Sequence, residues 1–220
     1  MAVLPMFPLG SVLLPGSVLP LHVFEPRYRQ LIADCLAADD HEFGVTLIER
    51  GSEVGGGDQR TTVGTVARMV QVAELDDGRY AVVSVGTRRI KVNAWLPDDP
   101  YPLADVDDWP DDWPEERYAS VDVEARVEQL TGRVRRACAL AIELGDAGPD
   151  PSSDIADDAV LGSYQLVALT PLGPADSQRL LAAPGPVARL DLLDDLLDDV
   201  EAMLHFRLGN DDDESDDGSM

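Results

Sequence analysis

Lysine and cysteine are nearly missing from this sequence of 220 residues, which contains one lysine, Lys91, and two cysteines. A P-loop needs a lysine followed by serine or threonine after a glycine-rich loop, because that lysine neutralises phosphate charge. Val92 follows Lys91, so the sequence excludes a P-loop, and a Ser-x-x-Lys nucleophile site is missing as well. Cys35 and Cys138 are far apart and form no Cys-x-x-Cys pair, which argues against a disulfide framework or a zinc site.

Basic residues as a whole are scarce, with 17 Lys and Arg against 42 Asp and Glu and a formal net charge of −25. Nucleic acids and anionic membrane surfaces are polyanions, so this charge argues against both as partners. Apolar runs of about 18 residues, the length that a membrane-spanning helix needs, are missing too. The apolar N-terminus contains several prolines and has no basic residue before Arg27, unlike a secretory signal peptide. We therefore expect a globular, cytoplasmic protein.

The first hundred or so residues carry the signals of strands and turns, namely short apolar runs separated by proline and glycine. Strands are predicted over residues 2–7, 18–24, 43–49, 61–75 and 79–95. The glycine-rich segment 50–58 is typical of a flexible hairpin loop. One helix interrupts the strands, because Pro26 suits a first helical position and Tyr28 begins an apolar stripe at helical spacing.

From residue 118 onward the apolar period changes from two to about 3.6, which predicts helices. One continuous stripe consists of Val123, Val127, Leu130, Val134, Ala137, Ala141 and Leu144. Helices are predicted over residues 123–144, 155–169, 175–183 and 187–208. The acidic, proline-containing stretch 98–116 is interpreted as a loop, and the acidic C-terminus as disordered. The sequence thus divides into a β-rich part (1–117), a helical part (118–208) and an acidic tail (209–220).

The sequence offers few candidates for catalysis or ligand binding. His41-Glu42 begins like the helix of a zinc protease, but Val45 stands where the second histidine ligand would lie. His22 lies in an apolar strand, and no Gly-x-Ser-x-Gly motif marks a serine nucleophile for it. We therefore assign no catalytic, metal-binding or cofactor-binding residue, and keep a hydrolase site formed by His22 with a distant serine as an alternative.

A basic patch is predicted on the first long helix of the helical part. Arg126, Arg133 and Arg136 share one face of this helix, and Arg135 flanks them. In so acidic a chain, the patch would attract the chain's own carboxylates, with residues 105–112 and the acidic tail as the expected partners. The alternative is that this face binds a protein partner, and both interpretations stay open at the level of sequence.

An ordered series of motifs runs along most of the chain. Its members are FPLG (7–10), VLLPG (12–16), LPLHVFEPRY (19–28), FGV (43–45), VGTVA (63–67), DGRY (77–80), GTRRI (86–90), SQRLL (177–181) and ARL (188–190). Together they resemble the amino-terminal, substrate-binding domain of the ATP-dependent Lon proteases, over roughly residues 3–208. This domain family also includes cereblon-type proteins and stand-alone bacterial proteins.

The resemblance implies an α+β fold, with an N-terminal PUA-like β pseudo-barrel, one inserted helix and a C-terminal α-helical subdomain. It implies a non-catalytic protein-binding module that lacks the ATPase and peptidase modules of a full Lon protease. The implied partners are unfolded or partly folded polypeptides with exposed apolar segments, or a protease or chaperone for which the chain acts as an adaptor. No cofactor is implied.

Five residues are candidates for contact with a bound polypeptide, namely Leu13, Leu14, Pro15, Phe24 and Tyr28. The first three belong to a turn that we expect to be exposed, and the alternative is that they cap the barrel. Phe24 and Tyr28 place aromatic surface between the barrel and the inserted helix. A small-molecule sensor, with its ligand in the cleft between barrel and helices, is a third alternative beside polypeptide binding and hydrolysis.

Overall fold

The computed structural model of the chain describes residues 2–51, 59–112 and 123–216. The chain divides into two units, Met1–Pro110 and Asp111–Met220, which we call the β unit and the helical unit. The β unit holds a mixed sheet and one helix, whereas the helical unit holds helices alone in its described part. The α+β class predicted from the sequence is confirmed. None of the helices in the described ranges combines the length and the apolar composition that crossing a membrane requires.

The sheet of the β unit closes on itself. Its elements are β1 (Ala2–Leu9), β2 (Val18–Val23), α1 (Pro26–Ala37), β3 (Glu42–Arg50), β4 (Gln59–Glu74), β5 (Tyr80–Leu96) and β6 (Leu103–Asp108). The strand order is β2-β5-β4-β3-β1-β6, and all neighbours are antiparallel except β1 and β3. Because β6 also pairs with β5, five strands form a closed ring, and β2 lies outside it as an edge strand.

The inserted helix α1 forms where the sequence predicts it. Pro26 occupies its first turn, where the missing backbone N–H has no intrahelical partner to lose. Its apolar face buries Leu31 and Ile32 completely, in a core cluster that also contains Phe43 of β3 and Val82 of β5. Such a fully buried aliphatic side chain contributes roughly 1.5–3 kcal/mol to folding. The helix is therefore held by its packing against the sheet.

Strand β6 corrects the prediction that residues 98–116 form a loop. Ala104 and Val106 alternate with Asp105 and Asp107, so a strand pattern is present but is carried mostly by aspartate, which is depleted in strands. Ala104 and Val106 are buried in a second core cluster, and the intervening residues are more exposed. Backbone pairing with both β1 and β5 stabilises β6 despite its composition. The other strands lie close to their predicted bounds, and residues 52–58 of the predicted hairpin loop lie outside the described residues.

The helical unit contains α2 (Val123–Glu143), α3 (Ala159–Leu169), α4 (Pro174–Leu181) and α5 (Pro186–Asp216) in its described part. The stripe predicted for α2 is largely buried, as Leu130 and Val134 are fully inaccessible to solvent. The chain turns away after α2 at Gly145, whose φ of 89° is readily accessible to glycine alone. There the Gly145 N–H donates to Ile142 O and the Asp146 N–H to Ala141 O, which is a Schellman motif.

Two helix bounds differ from their prediction. α3 begins at Ala159 rather than at residue 155, because the Asp158 carboxylate accepts a hydrogen bond from the Leu161 N–H at 2.8 Å and caps the helix there. α5 continues to Asp216, beyond the predicted end at residue 208. Extending an existing helix adds one backbone hydrogen bond per residue, so it needs no new nucleus. Residues 217–220 of the predicted disordered tail lie outside the described residues.

A charged network is buried inside the helical unit. Arg189 of α5 is completely buried and donates to Asp111 Oδ1, to Ser163 Oγ at 2.7 Å and to Leu180 O at 3.2 Å. Its guanidinium lies 3.6 Å from the centroid of the Tyr164 ring, and the Tyr164 hydroxyl donates to Asp111 Oδ2 at 2.9 Å. The network therefore joins α3, α4 and α5 to the segment that begins the unit.

Candidate functional site

A small pocket lies in the β unit where β2 leads into α1. Its volume is about 100 Å³, and it is lined by Phe7, Leu9, Leu21, His22, Val23, Phe24, Glu25 and Tyr28. Cavities for drug-sized ligands span roughly 300–1,000 Å³, so this one suits a single apolar side chain. The pocket includes two of the five residues that the sequence predicts as contacts, Phe24 and Tyr28.

The floor of the pocket is a fixed aromatic stack. The rings of Phe7 and Tyr28 lie parallel within 14°, with their centroids 4.0 Å apart. The guanidinium of Arg27 lies 4.5 Å from the centroid of the Tyr28 ring, and Arg27 Nε donates to Glu25 Oε2 at 3.1 Å. Stacking and the cation–π contact each add roughly 0.5–1.5 kcal/mol beyond burial. Tyr28 is only 4% exposed, so it supports the pocket from below.

Phe24 is the exposed aromatic residue of the pocket. It is 58% exposed, although aromatic side chains are usually well buried. The Glu25-Pro26 step that follows starts α1, and this helix start fixes the backbone beside Phe24. The accessible ring of Phe24 and the buried apolar lining of the pocket could both contact an apolar side chain of another molecule.

Leu13, Leu14 and Pro15 are not exposed, so the prediction that their turn is accessible is wrong. Leu13 and Leu14 are each 5% exposed, Pro15 is buried, and none of the three lines the pocket. The backbone holds the turn against the barrel: Thr65 Oγ1 donates to Leu13 O at 2.6 Å, and Leu14 O would lie 2.3 Å from a Cβ at Gly86. Their positions agree with the alternative interpretation of the sequence, in which these residues cap the barrel.

Strand β2 gives the site a second feature, a position at the edge of the sheet. β2 pairs with β5 on one side and with no other strand of the described structure. Its residues alternate between exposed and half-buried up to the buried Val23, and Val18 is 63% exposed. Pro20 was the available signal, because proline within a sheet is confined to edge strands, first residues and bulges.

The described residues around His22 do not form a hydrolase site. His22 is exposed at the pocket, whose lining residues include neither serine nor cysteine. The two thiols lie elsewhere and are buried: burial raises the pKa of Cys35 to about 12 and also raises the pKa of Cys138. Since the thiolate is the reactive form of cysteine, neither is an activated nucleophile. In the described ranges, no group of three or more His, Cys, Asp or Glu side chains could hold a metal ion.

The basic patch on α2 pairs with the chain's own acids. Arg133 contacts Asp194, Asp198 and Glu201, and Arg126 also contacts Asp194. The hydrogen bonds from Arg133 lower the pKa of Glu201. These partners all lie on α5, so the expected internal pairing is present but the expected partner segments, 105–112 and the tail, are wrong for these two arginines.

A larger cavity of about 770 Å³ lies in the helical unit, between the first half of α2 and the segment before α3. Its lining includes four carboxylates, one guanidinium and an apolar floor, contributed by Glu124, Ala125, Val127, Glu128, Thr131, Arg135, Asp154, Ile155, Ala156 and Asp157. Arg135 donates to Ser153 O at 3.0 Å. The volume suits a small molecule, and the net negative lining favours a cation.

Comparison with known protein families identifies one match over most of the chain. The family model described as ATP-dependent protease La (LON) substrate-binding domain matches residues 3–199. This range includes both candidate sites and every described strand and helix except the first residue of β1 and the second half of α5.

Two relatives among the curated proteins show the same relationship. The chain is 34% identical over 158 residues to the Lon protease of Anaeromyxobacter dehalogenans, which covers 71% of this chain and 18% of that protein. It is 33% identical over 157 residues to Lon protease 2 of Myxococcus xanthus, which covers 70% of this chain and 18% of that protein. The chain thus spans less than a fifth of the length of these relatives.

Solved structures share the fold over nearly their whole length. A Lon N-terminal domain protein from Xanthomonas campestris is 28% identical, with a TM-score of 0.61 over 88% of this chain and 97% of that one. The N-terminal domain of the Mycobacterium avium complex Lon protease is 19% identical, with a TM-score of 0.62 over 90% and 99%. The second likeness concerns the fold alone.

Proposed function

This chain belongs to the family of Lon substrate-binding domains, and on that premise we propose that it binds exposed apolar segments of other polypeptides at the pocket beside β2. The family module is a substrate-binding and not a catalytic one. The observation that carries the proposal is the exposed Phe24 in the same pocket as the buried Phe7–Tyr28 stack. Unfolded or partly folded proteins expose the apolar side chains that such a pocket accepts.

We further propose that a bound polypeptide is passed to a protease or chaperone formed by other chains. The relatives are Lon proteases, and this chain corresponds to about 18% of their length. A binding module of this kind supplies affinity for the client, while the partner supplies the chemistry. The two unpaired, buried thiols are compatible with the reducing cytoplasm, where we place this activity.

Phe24→Ser is expected to weaken the binding of an unfolded protein at least tenfold. Burying a phenylalanine ring against a partner contributes roughly 1.5–3 kcal/mol, and about 1.4 kcal/mol corresponds to tenfold in Kd. The measurement is fluorescence anisotropy with labelled lysozyme that has been reduced and alkylated with iodoacetamide. The matched control is Val3→Ser, because Val3 is 60% exposed in the same unit but does not line the pocket.

The control should bind within about twofold of the wild type, since single exposed substitutions elsewhere change little. If Phe24→Ser keeps the wild-type affinity while its thermal midpoint is unchanged, the pocket is not the binding site. Equal losses in both variants would point to diffuse apolar adhesion instead of a site.

The cavity of the helical unit supports a second candidate function, the binding of a small cationic molecule. A ligand at about 100 times its Kd stabilises the folded state by roughly 2.7 kcal/mol, which a thermal-shift assay detects. We expect spermidine to raise the thermal midpoint of the wild type, and the double variant Asp154→Asn/Asp157→Asn to lose that shift. The control pair Asp195→Asn/Asp199→Asn, on the exposed side of α5, should keep it. A shift that both pairs reduce equally would contradict a defined site.

A further inference from the structure

We propose that a client polypeptide binds in an extended conformation along β2 and adds a strand to the sheet. The inference rests on the proposed function and specifies its binding mode: main-chain hydrogen bonds to β2, with one side chain of the client in the adjoining pocket. Strand addition needs an open edge, correctly oriented backbone groups and a suitable partner.

The outer edge of β2 pairs with no other strand of the described structure and carries little charge. β2 is bonded to β5 alone among the described strands, and the other five strands close into a ring. Proteins usually protect an exposed edge with charged side chains, proline, a bulge or a very short strand. Of these, β2 has Pro20, which removes one of the outward donors but leaves the acceptors and the other donors in place. The six residues of β2, VLPLHV, include no acidic residue, lysine or arginine, and the pairing with β5 runs from Val18 to Val23 without a register shift.

The register shows which backbone groups point away from β5. Val18 pairs with Val85, so Ser17 continues the register opposite Gly86, and the Gly86 N–H donates to Ser17 O at 2.9 Å. In an antiparallel pair, alternate residues exchange hydrogen bonds with the partner strand. The residues bonded to β5 are therefore Leu19, Leu21 and Val23, and the outward groups belong to Val18, Pro20 and His22.

The outward edge offers five groups to a new strand: the N–H and C=O of Val18 and His22, and the C=O of Pro20. Pro20 has no N–H, so it is tolerated at an outward position, where β5 loses no hydrogen bond. Its position agrees with the register. A client strand would thus meet donors at both ends of the edge and a missing donor in the middle.

The side chains along β2 define the sequence that an added strand requires. Val18 and Pro20 are exposed on one face, and Leu21 faces the pocket together with Phe24. Since neighbouring strands place alternate side chains on the same face, the client needs apolar residues at least at every second position.

Charge selects a foreign segment over a second copy of this chain. Each copy carries a formal charge of −25, so pairing two β2 edges brings together two strongly negative molecules. A neutral or basic segment meets no such repulsion. We therefore commit to an extended, apolar, non-acidic segment of another protein as the occupant.

The test uses a synthetic peptide of alternating valine and threonine between terminal lysines, with a fluorescent label. Two further peptides carry backbone N-methyl groups on one or the other alternate set of residues. In strand addition only one set donates to β2, so we expect one methylated peptide to lose about tenfold or more in affinity and the other to bind nearly as the parent does. Equal affinities of the two methylated peptides for the wild type would overturn strand addition.

Three variants of the edge test the same idea from the protein side. His22→Ala removes the imidazole, and His22→Pro removes the outward N–H as well, so the difference between these two variants reports the N–H; we expect about five- to tenfold weaker binding by the second. Pro20→Ala adds an outward N–H and should tighten binding by about threefold. If circular dichroism shows that His22→Pro does not fold, the methylated peptides and Pro20→Ala still test whether the client adds a strand to β2.

The outcomes separate the binding mode from the proposed function. If Phe24→Ser loses binding while the wild type binds both methylated peptides equally, the pocket remains the proposed binding site and strand addition is refuted. A peptide-free dimer of the wild type in sedimentation, absent in His22→Pro, would overturn the choice of occupant in favour of a second copy. Unchanged binding in every variant would refute both proposals.

Discussion

Arg189→Ala is expected to destabilise the helical unit by about 3–5 kcal/mol, the cost of removing one partner from a buried ion pair. Arg189 is completely buried and contacts Asp111, Ser163, Leu180 and Tyr164. Without the guanidinium, the Asp111 carboxylate keeps only part of its hydrogen bonding, and a cavity opens between α3, α4 and α5. Native proteins are stable by only about 5–15 kcal/mol, so this loss is a large fraction of the total.

Urea unfolding followed by circular dichroism measures this loss, and Arg179→Ala is the matched control. Arg179 also pairs with an aspartate, Asp176 at 2.8 Å, but its side chain is 57% exposed. Exposed pairs contribute about 0–1 kcal/mol, so the control should lose little. The double variant Arg189→Met/Asp111→Leu should lose less than Arg189→Ala, because it leaves neither charge buried alone. Similar losses for Arg189→Ala and Arg179→Ala would contradict the network's role.

Tyr28→Ala is expected to cost about 3–5 kcal/mol of folding free energy, the range measured for large aromatic truncations in cores. Tyr28 is 4% exposed, stacked on Phe7 and covered by Arg27. The sequence predicts Tyr28 as a contact for a bound polypeptide, whereas its burial predicts an effect on stability. The expected result is therefore a lower unfolding midpoint, with any loss of binding following from the collapsed pocket floor.

Two control variants separate these roles. Tyr28→Phe keeps the stacked ring and should change stability by less than about 1.5 kcal/mol, as volume-conserving substitutions do. Phe24→Ala removes an exposed ring and should change stability by about 0.5 kcal/mol or less while it weakens binding. A stable Tyr28→Ala variant that has lost binding would show instead that Tyr28 contacts the client directly.

Much of the fold follows from periodicity in the sequence. The spacing of apolar residues predicts the stripe of α2, and proline and glycine signals predict the start of α1 at Pro26 and the bounds of the longer strands. β6 was missed because its alternation is carried by aspartate, and only its pairing with strands far away in sequence makes it a strand. Partners of that kind cannot be read from local pattern.

The candidate site was only partly predictable for a related reason. Phe24 and Tyr28 could be singled out as aromatic residues at a strand–helix junction, and the structure brings both to one pocket. The turn with Leu13 and Leu14 has the local chemistry of an exposed loop, but it is buried. Gly86, far along the chain, has no side chain, and its backbone therefore lets the turn pack closely against the barrel. Likewise, the edge position of β2 is a property of the whole sheet.

The closure of the barrel has a consequence for synthesis of the protein. Residues 2–5 of β1 pair with residues 103–106 of β6, so the two strands that complete the ring are almost a hundred residues apart. At a translation rate of about 5–20 residues per second, the nascent β1 waits on the order of 5–20 s before its second neighbour leaves the ribosome. The parallel pairing of β1 with β3 can form earlier. Until β6 is synthesised, the other edge of β1 stays unpaired, so the nascent domain has a second exposed strand edge besides that of β2. We expect cellular chaperones to cover this edge during synthesis.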